Sequence, residues 1–192
     1  MKYFTIHSVC EEIFNLDLKN YVLTFDDALY SQFYYWELIN RLENDKILFI
    51  PTGAIILSDY VRKRFNSEFI NFVDCFEALS QWKMNDNREH YMTLGEVKFL
   101  IKRYNIRIGG HGYNHTHPDC YGVSLSERTT KMKQDVDSMF NWFERYLYIK
   151  PVDFCFPFNK EDSFLKLILK DKGIENFYGG EREEIEILCQ NL

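Results

Sequence analysis

Four short β-rich runs, Tyr21 to Phe25, Lys46 to Ile50, Ile106 to Ile108 and Val152 to Phe156, constrain the fold of this chain more than any other feature. Each is followed within a few residues by turn or polar residues, and longer helical patterns lie between them. Strands that alternate with helices build parallel β-α units. The expected class is therefore α/β, either a (β/α) barrel, complete or incomplete, or an open doubly wound sheet.

The helical patterns are legible in detail. After Ser124, the residues Met132, Val136, Met139, Phe140, Phe143 and Leu147 recur at helical spacing, and Ser124 with Glu127 has the pattern of a capping box. Leu94, Val97 and Ile101 repeat the spacing behind Thr93 and Glu96, and Phe69, Phe72, Val73 and Phe76 mark a helix upstream. Phe164 to Lys170 predicts another helix, ended by Gly173. Met84 to Tyr91 reads as a loop. At 192 residues, against about 100 to 150 for a common domain, residues 1–192 are expected to form a single domain.

Clusters that carry chemistry fall just after three of the strands: Asp26 and Asp27, His111 to His117, and Pro157 to Asn159. In parallel α/β architectures the carboxyl ends of the strands carry the active site, so the three are expected to converge. Adjacent aspartates at a strand end can divide the work between binding a cation and acting as a base, although solvated or helix-capping aspartates fit the pair as well. His111 and His115 are four apart, a spacing that on a helical turn brings both rings to one ion. Gly109, Gly110 and Gly112 allow tight backbone geometry around the first of them. Two imidazoles and a carboxylate leave open coordination positions, as catalytic metal sites require.

Over roughly residues 21 to 180 the sequence resembles the polysaccharide deacetylase, or NodB-homology, family of carbohydrate esterases. Leu23-Thr24-Phe25-Asp26-Asp27 is similar to its T-F-D-D segment, Gly110-His111-Gly112-Tyr113-Asn114-His115 to its H-x-x-x-H segment, and Phe154-Cys155-Phe156-Pro157-Phe158-Asn159 to its aromatic-Pro-aromatic-Gly segment. Leu48 to Gly53 resembles the family's second strand. The resemblance implies a deformed or incomplete (β/α) barrel that removes acetyl groups from sugars with one divalent metal ion, expected to be zinc, with cobalt or nickel as alternatives. By position it makes Asp26 the catalytic base, Asp27, His111 and His115 the metal ligands, and Pro157 and Phe158 substrate-binding residues, with the Phe158 N–H an oxyanion donor.

The chain departs from the family at Ala28, where a Gly is frequent, and at Cys155, where an Arg that orients the base is frequent. It also has no late Leu-x-x-His general acid, for no histidine follows His117. His117 is the expected substitute as proton donor. Glu183 to Leu188 could supply a closing strand. His7 and His90 read as satisfied or exposed histidines outside the site, Tyr34, Tyr35 and Trp36 as helical aromatics, and Glu181 to Glu184 with Arg182 as a solvated charge cluster.

Composition narrows the function further. A net charge of −6, with the basic residues scattered, argues against a nucleic-acid surface. No apolar run reaches the roughly 18 residues that span a bilayer, and no signal-peptide h-region precedes Glu11 and Glu12. The expected location is cytoplasmic. Cys10, Cys75, Cys120, Cys155 and Cys189 are widely spaced and form no C-x-x-C pair, so they read as reduced, mostly buried thiols. The expected reaction is deacetylation of an N-acetylated sugar or surface-polysaccharide precursor. The alternatives are a non-catalytic barrel that binds metal or carbohydrate, and metal-dependent hydrolysis of a phosphoester. The last lacks a phosphate-cradling Gly-rich loop.

Overall fold

The computed structural model describes residues 2–62, 72–180 and 182–184. In chain order the strands are β1 (Lys2–Ile6), β2 (Tyr21–Phe25), β3 (Lys46–Ile50), β4 (Arg107–Gly110), β5 (Asp153–Cys155), β6 (Asn176–Tyr178) and β7 (Glu183–Glu184). The α-helices are α1 (Tyr30–Tyr34), α2 (Trp36–Arg41), α3 (Cys75–Asn85), α4 (Leu94–Tyr104), α5 (Leu125–Leu147) and α6 (Ser163–Lys172). They group into two compact units.

The first unit carries β1, β2, most of β3, α1 to α4 and β7, in the strand order β7-β1-β2-β3. All its pairings are parallel, with Ile6 opposite Phe25 and Phe25 opposite Leu48. Its core forms where helix meets sheet, for example where Trp36 lies 5.2 Å from Phe25, both fully buried. The capping box at α4 is present: Thr93 Oγ1 accepts from Glu96 N at 3.1 Å, and the Glu96 carboxylate accepts from Thr93 N at 2.8 Å.

The second unit carries the end of β3 from Phe49, then β4, β5 and β6 in that order, with α5 and α6. Met132, Val136, Met139 and Phe143 of α5 are buried, as their spacing predicts. Each such burial contributes about 1.5 to 3 kcal/mol. Ser124 caps α5 by accepting from Glu127 N, but the Glu127 carboxylate takes the N–H of Val123, so the reciprocal bond of a capping box is absent. Gly173, at φ 99°, ends α6.

β1 to β3 in the first unit and β4 to β6 in the second lie side by side in chain order, without the reversal that a doubly wound sheet requires, and β7, the last strand, pairs with β1. Other expectations are corrected. The helix expected around Phe69 to Phe76 begins only at Cys75, because the Asp74 carboxylate caps it through Glu77 N at 2.9 Å. Phe72 and Val73 precede that cap, and Phe72 instead packs against Tyr34 at 5.2 Å; Phe69 lies outside the described residues. α1 and α2 are separated at Tyr35, where ψ is 4°. Of the closing strand only Glu183 and Glu184 are described, paired with β1. Arg182 is buried rather than solvated, with its guanidinium on the Asn159 side chain.

Among the described residues no cysteine is in a disulfide: Cys10 and Cys155 are buried, Cys75 is half-buried and Cys120 is exposed. No helix among them is long and apolar enough to cross a membrane.

Candidate active site

In the first unit, Asp26 and Asp27 follow β2, and both side chains are buried. The chain turns there through two successive left-handed residues, Asp27 at φ 75° and Ala28 at φ 53°. Asp tolerates that region, whereas Ala bears a cost of roughly 1 kcal/mol. Glycine, which the sequence lacks here, would not bear it. Three backbone bonds hold the turn: Asp26 N donates to Ile6 O at 3.1 Å, Met92 N to Ala28 O at 2.9 Å, and Tyr30 N to His90 O at 2.7 Å. Burial, and then the nearby Asp27 carboxylate, push the Tyr91 phenol up, so it remains protonated.

Sequence reasoning missed two members of this neighbourhood. Gln32 of α1, fully buried, directs its amide to the carbonyl oxygens of His7 at 2.6 Å and of Asp26, with Ile6 O at 3.4 Å. His7, expected to lie apart, has Nε2 3.9 Å from Asp26 Oδ2. The strand β1 that carries it there was not predicted, and recognising β1 as β2's parallel neighbour would have placed His7 beside Asp26. His90 does lie apart, with its Nε2 3.0 Å from Gln81 Oε1.

In the second unit the two histidines meet, but not on a helical turn. Residues 111–117 form a non-helical loop that contains Gly112 at φ 76° and His115 at φ 49°. The His111 and His115 rings lie 4.7 Å apart, with their Nε2 atoms separated by 3.2 Å. Gly109 is needed for close approach, since a Cβ there would come within 2.6 Å of the Phe49 ring and 2.8 Å of Asp153 O.

Asp135 of α5 fixes the loop. Its buried carboxylate accepts from Tyr113 N and Asn114 N, each at 2.9 Å, and from Asn114 Nδ2 at 3.0 Å. Burial, and then the Asp135 charge, push the Tyr121 phenol up. Asp135 stands three residues after Met132 and four before Met139, on the buried stripe of α5, and that position is the signal that could have found it.

The residues fit a divalent ion by their donor chemistry. His111 Nδ1 lies 2.8 Å from Cys155 O. A carbonyl only accepts, so Nδ1 carries the proton and the Nε2 lone pair faces His115 Nε2. Two imidazole nitrogens in van der Waals contact repel unless a proton or cation lies between them. A backbone carbonyl that fixes the ring of a ligand histidine is the usual outer support of such centres. Buried side chains of the kinds that could hold a metal ion include Asp27, His111 and His115, and also Asp26 and Cys155.

After β5, Pro157 is buried and starts a short turn in which Phe158 and Asn159 are left-handed, at φ 59° and 54°. Asn159 thus occupies the position where the aromatic-Pro-aromatic pattern ends in Gly. The turn's bonds run from Asn159 N to Phe156 O and from Lys160 N to Pro157 O, leaving the Phe158 N–H outside both. Phe156 is fully buried, whereas Phe158 is 43% exposed, with its ring 4.8 Å from His115 and 5.5 Å from His117. His117 caps the next turn through Nδ1, which accepts from Asp119 N at 3.2 Å, so its proton sits on Nε2 when neutral.

A parallel α/β fold with carboxylates and imidazoles at the carboxyl ends of its strands is the class of architecture these observations define. Solved structures sharpen it. The chain is similar to a de-N-acetylase from Aggregatibacter actinomycetemcomitans (TM-score 0.58, 13% identity, covering 95% of this chain and 77% of that one). It is also similar to the BpsB deacetylase domain from Bordetella bronchiseptica (TM-score 0.60, 9% identity, 86% and 70%). A third similar structure is a polysaccharide deacetylase from Bacillus cereus (TM-score 0.57, 9% identity, 93% and 56%). The chain therefore has the polysaccharide deacetylase fold, a deformed (β/α) barrel. No family model and no curated protein matches it.

Proposed function

We propose that this chain, as a single catalytic domain over residues 1–192, is a metal-dependent hydrolase that removes an acetyl group from an N-acetylated sugar or surface-polysaccharide precursor. The observation that carries the proposal is the imidazole pair, whose Nε2 atoms face each other at 3.2 Å while a carbonyl holds His111 Nδ1. Asp27, His111 and His115 would hold one divalent ion, of which zinc suits two nitrogens and a carboxylate, with cobalt or nickel as alternatives. Bound there, the ion supplies a water acidic enough to attack at neutral pH and polarises the acetyl carbonyl.

The chain's own residues supply the rest. A carboxylate oxygen of Asp26 takes the proton of the attacking water. The N–H of Phe158 donates to the oxyanion as the carbonyl carbon becomes tetrahedral. Pro157 fixes that turn, and the half-exposed Phe158 ring offers a face to the sugar. Carrying a proton on both ring nitrogens, with Asp119 Oδ2 3.6 Å from Nδ1, His117 passes the Nε2 proton to the leaving amine and returns to the neutral ring. Activated or lipid-linked sugars are available in the cytoplasm, where we place the reaction.

The non-catalytic reading rests on Cys155, a neutral side chain where a base-orienting arginine is frequent. Acetate release separates the two. Protein stripped by chelation and reloaded with zinc, cobalt or nickel is expected to release acetate from at least one member of a panel of N-acetyl sugars, and the stripped protein from none. Metal uptake without acetate release would favour the binding module. Phosphatase activity in its place would favour phosphoester hydrolysis.

A further inference from the structure

We infer that His7 is a positioning residue for the base Asp26, an inference that rests on the deacetylase reading above. His7 is the first residue after β1, and Asp26 the first after β2. These strands are parallel neighbours with Ile6 opposite Phe25, so the next residue on each leaves the sheet at the same level. Asp26 N donates to Ile6 O at 3.1 Å and extends the ladder by one step.

The buried Gln32 amide then bridges the carbonyls of the two residues themselves, His7 O and Asp26 O. A side chain that ties both carbonyls fixes both Cα positions, and so fixes where the two side chains start. Their tips end with Nε2 3.9 Å from Oδ2. That separation is within ion-pair range and a small ring rotation from a hydrogen bond.

The chemistry makes the placement useful. Asp26 is 1% exposed, and a carboxylate out of water needs donors directed at it to stay available as a proton acceptor. An N–H aimed at Oδ2 favours one rotamer of the carboxylate. The His7 side chain is only 21% exposed, so it is confined rather than free to swing into solvent. Its effect on the reaction passes through Asp26.

The test compares two variants of the full chain loaded with metal, using acetate release from an N-acetyl sugar that wild type hydrolyses. His7→Phe fills the space without a donor and is expected to lower kcat by about 10- to 100-fold, the scale for loss of an outer support, with KM and metal content unchanged. His7→Gln restores an N–H and is expected to recover most of that loss. A wild-type kcat in His7→Phe, or equal loss in both variants, would overturn the inference.

A second measurement needs no turnover and no variant at His7. In the metal-free protein the side-chain nitrogen resonances of His7 are expected to shift in Asp26→Asn, and unchanged resonances would overturn the inference even where the acetate assay succeeds. Wild type that releases no acetate from any sugar would bring down the functional reading instead, and the pairing of His7 with Asp26 would then stand or fall on the resonances.

Discussion

The aspartate turn of the first unit and the histidine loop of the second both leave a parallel strand through left-handed residues, but they are held in place by different means. In the histidine loop a single side chain, Asp135, binds the N–H groups of two consecutive residues, while Cys155 O fixes the first ring. In the aspartate turn the support is backbone pairing and the Gln32 clamp on the carbonyls behind the side chains, with Ala28 in a conformation that opposes its Cβ. The loop immobilises the rings that, on the proposed reading, present lone pairs to an ion. The turn, on the same reading, sets two adjacent carboxylates to different tasks. If this contrast is right, loss of Asp26 from the turn should fall on rate, and damage to the loop on metal affinity and stability.

The largest expected effect is on the turn side. Asp26→Asn should retain metal and fold yet lower kcat by at least about 100-fold, the scale for a lost general base. Initial-rate assays beside metal analysis check it. Loss of metal in this variant would show that the two aspartates share or exchange roles, and the contrast would fail.

The histidine loop is tested by Asp135→Ala. Removing the carboxylate leaves the partly buried amides of Tyr113 and Asn114 without acceptors, at about 1 to 3 kcal/mol for such a loss. The ligand rings should then lose their alignment, with metal affinity down about 10- to 100-fold. Thermal unfolding of the metal-free protein and metal titration report the two effects separately. Unchanged affinity would mean that the His111 to Cys155 bond suffices to hold the pair.

The smallest effect is the most specific to the turn. Ala28→Gly relieves a positive φ, and much of the gain returns as chain entropy, so a net stabilisation of at most about 0.5 kcal/mol is expected. For a chain of this size that corresponds to a rise in Tm of at most about 2 °C. The rate should stay near wild type. A fall in Tm would show that the Ala28 methyl contributes packing that outweighs its backbone strain.

How far the sequence could be read follows from what kind of force sets each feature. Strand and helix periodicity gave the α/β class, and β2 and β3 run over the residues expected, because both are buried runs with clear polar ends. β1 and β6 escaped: Asn176 to Tyr178 is only three residues long, whereas Lys2 to Ile6 is as long as β2 and carries Tyr, Phe, Thr and Ile, so its composition held a strand signal that went unread. At the site, the motif residues Asp26, Asp27, His111 and His115 stood out by type and spacing, yet the helical reading of the histidine pair was wrong, since the loop's shape is dictated by Gly112, by His115 in the left-handed region and by Asp135 on a distant helix. The resemblance at Phe154 to Asn159 pointed to Phe158, but its exposure depends on the left-handed turn after Pro157, which no spacing reveals. Gln32 and His7 were invisible because their roles depend on which strand lies beside which.

Metal content after equilibrium dialysis reports whether Asp27, His111 and His115 hold one divalent ion. Wild type dialysed against zinc and then against metal-free buffer is expected to retain about one ion per chain, as a three-ligand site does. Asp27→Ala, His111→Ala and His115→Ala should each retain far less while remaining folded by circular dichroism. Metal content in the folded Asp27→Ala and His111→Ala proteins equal to that of wild type would show that these side chains hold no ion.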